Sequence, residues 1–467
     1  MQFPLVGSAP VVEREADHFR HVFENRCEFQ HFKNYLTGLM VLDNKTYANI
    51  ARCLLESADK TNLSRFFSDA PWEEETLEQE RVQWLLEETR PWQRKETESA
   101  LVFDDTLCEH VGSLFDYVDR HYDHAENRYP LAHNLVTSHF VSGAVRFPVG
   151  KRLYRRYEEV TQWEAFMGKH LPEREIPKQS KARNKLREEV EPELLQDPDF
   201  ATLHVTFQTK LALSGELLKE ALNRGVPFSV ALFDGWYLAP ELVDPIREAG
   251  KDWISIVKKN RGIETQSFVL RDAERQRVSF PKSTVTLEKM IPLIPRPAYR
   301  PVKVGERKYW CFTITARIPS LGQVRLVVSY DNEALQGTAV VLATNRTDWD
   351  SKRILSTYLW RWPIETFYQD GKQLLGLDTY RMRDGQAIQK HWSLVFLAHG
   401  FLHLESLRSS TKKGHKLPGK SIGQVCREQA QALVEKLLLY VHEQLTLGEE
   451  AATLFARLFA KQQPVPV

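Results

Sequence analysis

Cysteine is scarce in this 467-residue chain, and its five copies at 27, 53, 108, 311 and 426 form no CxxC pair. That spacing argues against a structural zinc site and a disulfide-held scaffold, and makes a reducing cytoplasm the expected compartment. Long apolar runs are missing too. No uncharged stretch reaches the ~18 residues that a membrane span requires. The opening Met-Gln-Phe-Pro-Leu-Val lacks the charged start and apolar core of a signal peptide. There is no P-loop, no dinucleotide-binding glycine pattern and no serine nucleophile elbow, which removes three common chemistries. An excess of one charge is absent as well, since 63 Lys+Arg against 62 Asp+Glu gives +1. A polyanionic partner would have to be met by local patches.

What is present reads as a soluble globular chain of two to four structural units, 42% hydrophobic and 27% charged. Residues 1–98 are expected to be helical. Asn44 is placed to cap a helix through Ala48, Ile50, Ala51, Leu54 and Leu55, and a second short helix follows Asp59. A helix pair of this kind suits DNA contact, and it suits plain packing equally well. The helix at 76–89 reads as a solvated amphipathic element. From residue 100 the pattern becomes α/β. The apolar run 100–103 is a short buried strand closed by Asp104-Asp105-Thr106, and 131–143 is a second strand. Residues 168–198 read as a polar surface loop, 209–224 as a helix stopped by Gly225, and 227–233 as a buried strand ending in Asp234. Strand 253–257 follows. A β-rich insertion occupies 258–337, with strands at 283–287, 309–315 and 323–329. The buried-strand pattern resumes at 338–344, 392–407 is a buried helix, and two amphipathic helices at 424–445 and 449–461 finish the chain. Basic runs stand at 151–156, 296–308 and 408–420.

The stretch from Tyr358 to Lys372 is the most informative. Pro363 is favoured at the first position of a helix, which puts Glu365 in the first turn. Lys372 lies seven residues on, nearly two turns, so both side chains share a face. Taken alone, this is a solvated ion pair. Two strand-end acids precede it, however: Asp105 (or its neighbour Asp104) and Asp234, separated by 234−105=129 residues, with Glu365 a further 365−234=131 on. Three clustered carboxylates repel one another and need cations to stay ionised. Oxygen-only ligation selects Mg²⁺ or Mn²⁺, and two such ions suit phosphoryl transfer.

Tyr358, Arg361, Glu365 and Lys372, with two, three and six residues between them, resemble the tyrosine–arginine–glutamate–lysine signature of bacterial insertion-sequence DDE transposases of the cut-and-paste branch. The strings ending in Asp104-Asp105-Thr106 and Asp234 are similar to that family's other acidic motifs. The resemblance implies a ribonuclease H-like catalytic core in two parts, 99–257 and 338–407, split by the 258–337 insertion. It also implies a helical DNA-binding domain over 1–98 and a helical, possibly dimerising region over 408–467. Asp105, Asp234 and Glu365 would hold two Mg²⁺ or Mn²⁺ ions, Asp105 being preferred to Asp104 because it directly precedes Thr106. Arg361 and Lys372 would contact DNA phosphates, and Tyr358 would do the same or pack to position Arg361. Cleavage at element ends and strand transfer into target DNA would follow, by a homodimer on paired double-stranded ends in a bacterial, nucleoid-associated setting. Some members form a hairpin with a flipped base; Tyr309, Trp310 and Trp349 are candidates by position. The basic runs at 151–156 and 296–308 would track the DNA backbone.

Competing signals are weaker. His399 and His403 are one turn apart, but Gly400-Phe401 stands where a zinc protease needs its glutamate, so two buried histidines are expected. His121, Asp123 and His124 read as a solvated loop. A non-catalytic DNA binder derived from a transposase is the alternative function. A carboxylate-pair glycosidase would not need the flanking arginine and lysine.

Overall fold

Strands apolar on successive residues need cover on both faces, and the chain builds its centre from such strands. The computed structural model describes residues 3–55, 60–123, 126–410 and 419–459. In chain order the strands are β1 (Ser99–Glu109), β2 (Asp119–Arg120), β3 (Leu131–Ser142), β4 (Val145–Tyr154), β5 (Val230–Phe233), β6 (Asp252–Ile256), β7 (Gly262–Glu264), β8 (Thr284–Thr286), β9 (Arg300–Val304), β10 (Arg307–Ile318), β11 (Gly322–Tyr330) and β12 (Val340–Thr344). Ten of them form one mixed sheet in the order β2-β3-β1-β5-β6-β12-β11-β10-β9, with β4 also paired to β3. The β1–β5 and β5–β6 pairs are parallel. The remaining pairs in this sheet are antiparallel. The fold is mixed α/β, as expected.

Several details differ from the sequence reading. β1 does not stop at Asp104; it pairs with β3 as far as Glu109. Its parallel pairing with β5 ends at Val102↔Leu232. The acids therefore lie where β1 outruns its parallel neighbour. The insertion builds a small hairpin of its own from β7 and β8, whereas β9, β10 and β11 continue the central sheet through β12. Residues 168–198 are not a loop. Ser180–Leu194 is a helix, and Leu186, Val190 and Leu194, spaced by four, pack with Trp163, Met167, Leu171 and Phe200 in a small core of their own. Charged residues dominate that segment and mask a narrow apolar stripe.

The N-terminal helices wrap the long central helix Gly385–Ser409, which is buried along most of its length. The expected helix pair is present as Tyr47–Cys53 and Lys60–Ser68, and residues 56–59 between them lie outside the described part. Thr46 holds the N-cap position; Asn44 instead accepts the Thr46 amide at 3.1 Å. Gly38, in helix Arg26–Val41, faces this pair, and a Cβ there would lie 2.6 Å from Ile50 Cγ1. A β-branched side chain has little freedom to move away. Gly38→Ala is expected to cost about 1–2 kcal/mol despite the better helix propensity of alanine; an unchanged urea midpoint would contradict this.

The helix Glu74–Glu88 is not simply solvated. Glu78 and Arg81 are buried with Leu77, Trp84 and Leu85. A register shift between Ser138 and His139 leaves β4 bulged near Pro148, and a bulge exposes carbonyls that the ladder no longer satisfies. Arg81 donates to the Pro148 carbonyl at 2.6 Å and the Val149 carbonyl at 3.3 Å, and Arg224 adds a bond to Val149 at 2.9 Å. Glu78 pairs with Arg81 and lies 3.5 Å from Lys151. The basic run at 151–156 is thus occupied within the fold. Lys151 is buried and paired to Glu74, and Arg152 bridges Glu216 and Glu220. Arg155 meets Glu159, and Arg156 meets Asp119 and Glu158. Each of these cations has a carboxylate partner within the fold.

Candidate active site

Asp104 and Asp105 are adjacent on β1 and point to opposite faces of the sheet, as strand geometry requires. Asp104 sits opposite Thr137 of β3, and residues directly opposite in an antiparallel pair share a face. On that face Thr137 Oγ1 is 2.6 Å from the Tyr368 hydroxyl, and the His139 and Phe367 rings meet at 4.8 Å. Tyr368 and Phe367 belong to the helix Pro363–Leu374, which begins at Pro363 as expected and carries Glu365 in its first turn. Arg361 joins the two acids. Its guanidinium donates to Asp104 Oδ2 at 2.5 Å and to Glu365 Oε1 at 2.9 Å.

Asp105 lies on the other face. It accepts from Lys210 Nζ at 2.7 Å and from the Tyr237 hydroxyl at 2.8 Å. Lys210 opens the helix Lys210–Asn223, whose N-cap Thr209 accepts from the Ala212 amide. That helix covers β3 and β4 on this side of the sheet; Gly150 of β4 leaves room for it, since a Cβ would fall 2.8 Å from Leu217 Cδ2.

Asp234 follows β5 directly. Its Oδ1 accepts from the Trp236 amide at 2.8 Å, and its carbonyl accepts from Ser255 Oγ at 3.0 Å. Gly235 allows β6 to approach, because a Cβ there would lie 3.0 Å from the Ile256 carbonyl oxygen. Tyr358 donates to the Phe233 carbonyl at 3.4 Å, just before Asp234.

The acids sense one another. Burial pushes the Asp104 carboxyl up to about 7; Arg361 opposes the rise, and Asp105, Asp234 and Glu365 add to it. That crowding, and the oxygen-only donor set, fit a hard divalent cation. Among the described residues no three acid, histidine or cysteine side chains yet converge closely enough to hold an ion together, and Arg361 stands between Asp104 and Glu365. Lys372 is not part of this group. It sits near Cys108 and Asp378, where it opposes the upward push that burial gives to both. Seven helical residues carry it about 10 Å along from Glu365.

Other candidates fall elsewhere. Trp349 is buried, with the guanidinium groups of Arg346 and Arg353 at 5.1 and 4.1 Å from its ring centre. Trp310 is half-buried under Lys308, and Tyr309 is half-buried beside it. His399 and His403 are buried, as expected. His403 accepts the Arg146 amide at 3.1 Å, and burial pushes its pKa down to about 3. His121 is buried and Asp123 pairs in a short bridge with Arg128; His124 lies outside the described residues. Lys210, Tyr237 and Trp236 escaped the sequence reading, and only their closeness to Asp105 or Asp234 could have signalled them.

Fold and site together define an α/β protein with a carboxylate-centred site on a mixed sheet. A family model described as a DDE superfamily endonuclease matches residues 18–277, and one described as a transposase DDE domain matches residues 209–401. The chain belongs to the DDE superfamily of endonucleases. Both descriptions point to a transposition-related, nuclease-type function with DNA as the partner. No curated protein matches the chain. Among the described residues no helix is long and apolar enough to cross a membrane.

Proposed function

We propose that this protein is a cut-and-paste transposase of an insertion sequence, with Asp104, Asp234 and Glu365 as its metal-holding acids. The observation that carries the reading is the Arg361 bridge between Asp104 and Glu365. It joins residues from two distant segments at the edge where β5 ends in Asp234. Asp104 replaces Asp105 in the ligand set because it shares the sheet face of the glutamate helix, whereas Asp105 is engaged by Lys210 and Tyr237. The strand order β4-β3-β1-β5-β6 supports a ribonuclease H-like core, with three antiparallel strands followed by two parallel additions.

Two Mg²⁺ or Mn²⁺ ions bound by these acids would supply an activated nucleophile and a stabilised leaving oxygen. The chain's own residues supply the rest. Arg361 holds Asp104 and Glu365 at a fixed separation and offers its charge to a phosphate when the acids are otherwise neutralised. Tyr358, half-buried and tied to the Phe233 carbonyl, keeps the arginine beside Asp234. Lys372 provides a second phosphate contact further along the same helix. On the sheet extension, Lys303 and Lys308 are directly opposite one another and exposed. Like charges in that position cost stability, and a DNA backbone would relieve them. A supercoiled plasmid carrying the element's inverted repeats, incubated with Mg²⁺, tests the reading: nicking and excision are expected, and intact plasmid would refute it.

The proposed homodimer is best supported by the helix Ile422–Thr446. Its first half is part of the core, with Ile422, Val425, Cys426 and Leu433 buried. Its second half presents Leu438 and Leu439, each more than three-fifths exposed. Leu438→Glu with Leu439→Glu should leave the monomer folded and lower the sedimentation coefficient of the complex on paired ends. An unchanged complex would place the dimer contact elsewhere.

A further inference from the structure

Tryptophan gains free energy when its large apolar surface leaves water. Of the eleven tryptophans in the chain, nine are buried or half-buried, and only Trp236 and Trp362 are exposed, at 41% and 66%. Both stand at the candidate acids, Trp236 two residues after Asp234 and Trp362 three before Glu365. Trp236 is also held in place. Its amide is bonded to Asp234, and its ring meets that of Tyr237 at 5.0 Å edge-on. Lys210 Nζ lies 5.4 Å from its ring centre and 5.3 Å from that of Tyr154. The ammonium is itself anchored by Asp105 at 2.7 Å.

An exposed aromatic fixed by a backbone bond, an edge contact and an anchored cation is a preformed stacking surface, because little side-chain freedom remains to be lost on binding. We infer that Trp236 stacks on an unpaired nucleobase beside the phosphate presented to Asp234, and that Lys210 is a positioning residue that sets the ring's orientation. This rests on the DNA-cleavage reading of the same site and names a contact which that reading does not require. Every base offers a π face, so the contact is independent of sequence. It differs from the three aromatics suggested by position in the chain, of which Trp349 is enclosed by two arginines.

The test uses the full-length protein in EDTA and two DNAs of equal length: a blunt duplex, and a duplex with a short single-stranded 3′ extension carrying 2-aminopurine at the junction. Wild-type protein should quench 2-aminopurine on binding, and Trp236→Phe should retain most of the quenching. Trp236→Leu should lose the quenching and bind the extended DNA about tenfold more weakly, with the blunt duplex unaffected. Lys210→Met should give partial quenching. Should the leucine variant fail to fold, Trp236→Gln replaces it in the same comparison. Full quenching by Trp236→Leu, or an equal loss on both DNAs, would overturn the stacking role while plasmid nicking by the wild type still upheld the nuclease reading. Failure of the wild type to bind either DNA would overturn both.

Discussion

Glu365→Gln is expected to lower plasmid nicking by roughly 10³-fold while DNA binding persists. The substitution keeps the shape and the Arg361 contact but removes the charge a divalent cation needs. Asp104→Asn should behave in the same way, since its carboxylate faces Glu365 across Arg361. Asp105→Asn is the informative contrast. Its partners are Lys210 and Tyr237 on the opposite face, so its loss should be felt through positioning and stay within about 10- to 100-fold. Nicking rates for the three proteins, with gel-shift binding as a control, separate the outcomes. An inactive Asp105→Asn beside an active Asp104→Asn would reverse the assignment of the first ligand.

The second large effect concerns stability. Arg81→Met should destabilise the protein by about 3–5 kcal/mol, because it strands a buried Glu78 carboxylate and the carbonyls of Pro148 and Val149. Arg94→Ala, which removes a pair more than half exposed on both sides, should change it by less than about 1 kcal/mol. Urea unfolding of both variants measures the difference. The pH dependence has a definite sign. Burial pushes the Glu78 carboxyl up, but Arg81, Lys151 and Arg224 outweigh that and hold it at about 2. A carboxyl depressed in the folded state lends stability that is complete above its unfolded value and drains away as pH falls toward the folded one. Wild type should therefore lose stability from roughly pH 4.5 downward, and Glu78→Gln should be weaker at neutral pH with a shallower acid slope. Equal acid slopes would remove Glu78 from the account.

Much of the architecture was legible because it rests on local rules. Apolar runs marked β5, β6 and β12, and leucine spacing marked the helix starting at Lys210. Pro363 marked the start of the glutamate helix, which begins at that residue. What misled was any feature whose partner is remote. Lys151, Arg152 and Arg156 looked like a phosphate track because acidic partners of theirs, Glu74, Glu216, Glu220 and Asp119, lie far away in the chain. Glu78 and Arg81 looked like solvated charges because the groups that satisfy them are backbone carbonyls of a bulge, which no side-chain pattern announces.

The same division runs through the candidate site. The order of Tyr358, Arg361, Glu365 and Lys372, and the two apolar strands leading to Asp104-Asp105 and Asp234, are determined by the chain itself through spacing and helix-start chemistry. Which aspartate meets Glu365 is not. Neighbours on a strand point to opposite faces, so the answer depends on the face against which the glutamate helix packs. Contacts of Thr137 with Tyr368 and of His139 with Phe367 decide it. Those contacts exist only once β1, β3 and a helix more than 200 residues further on have come together.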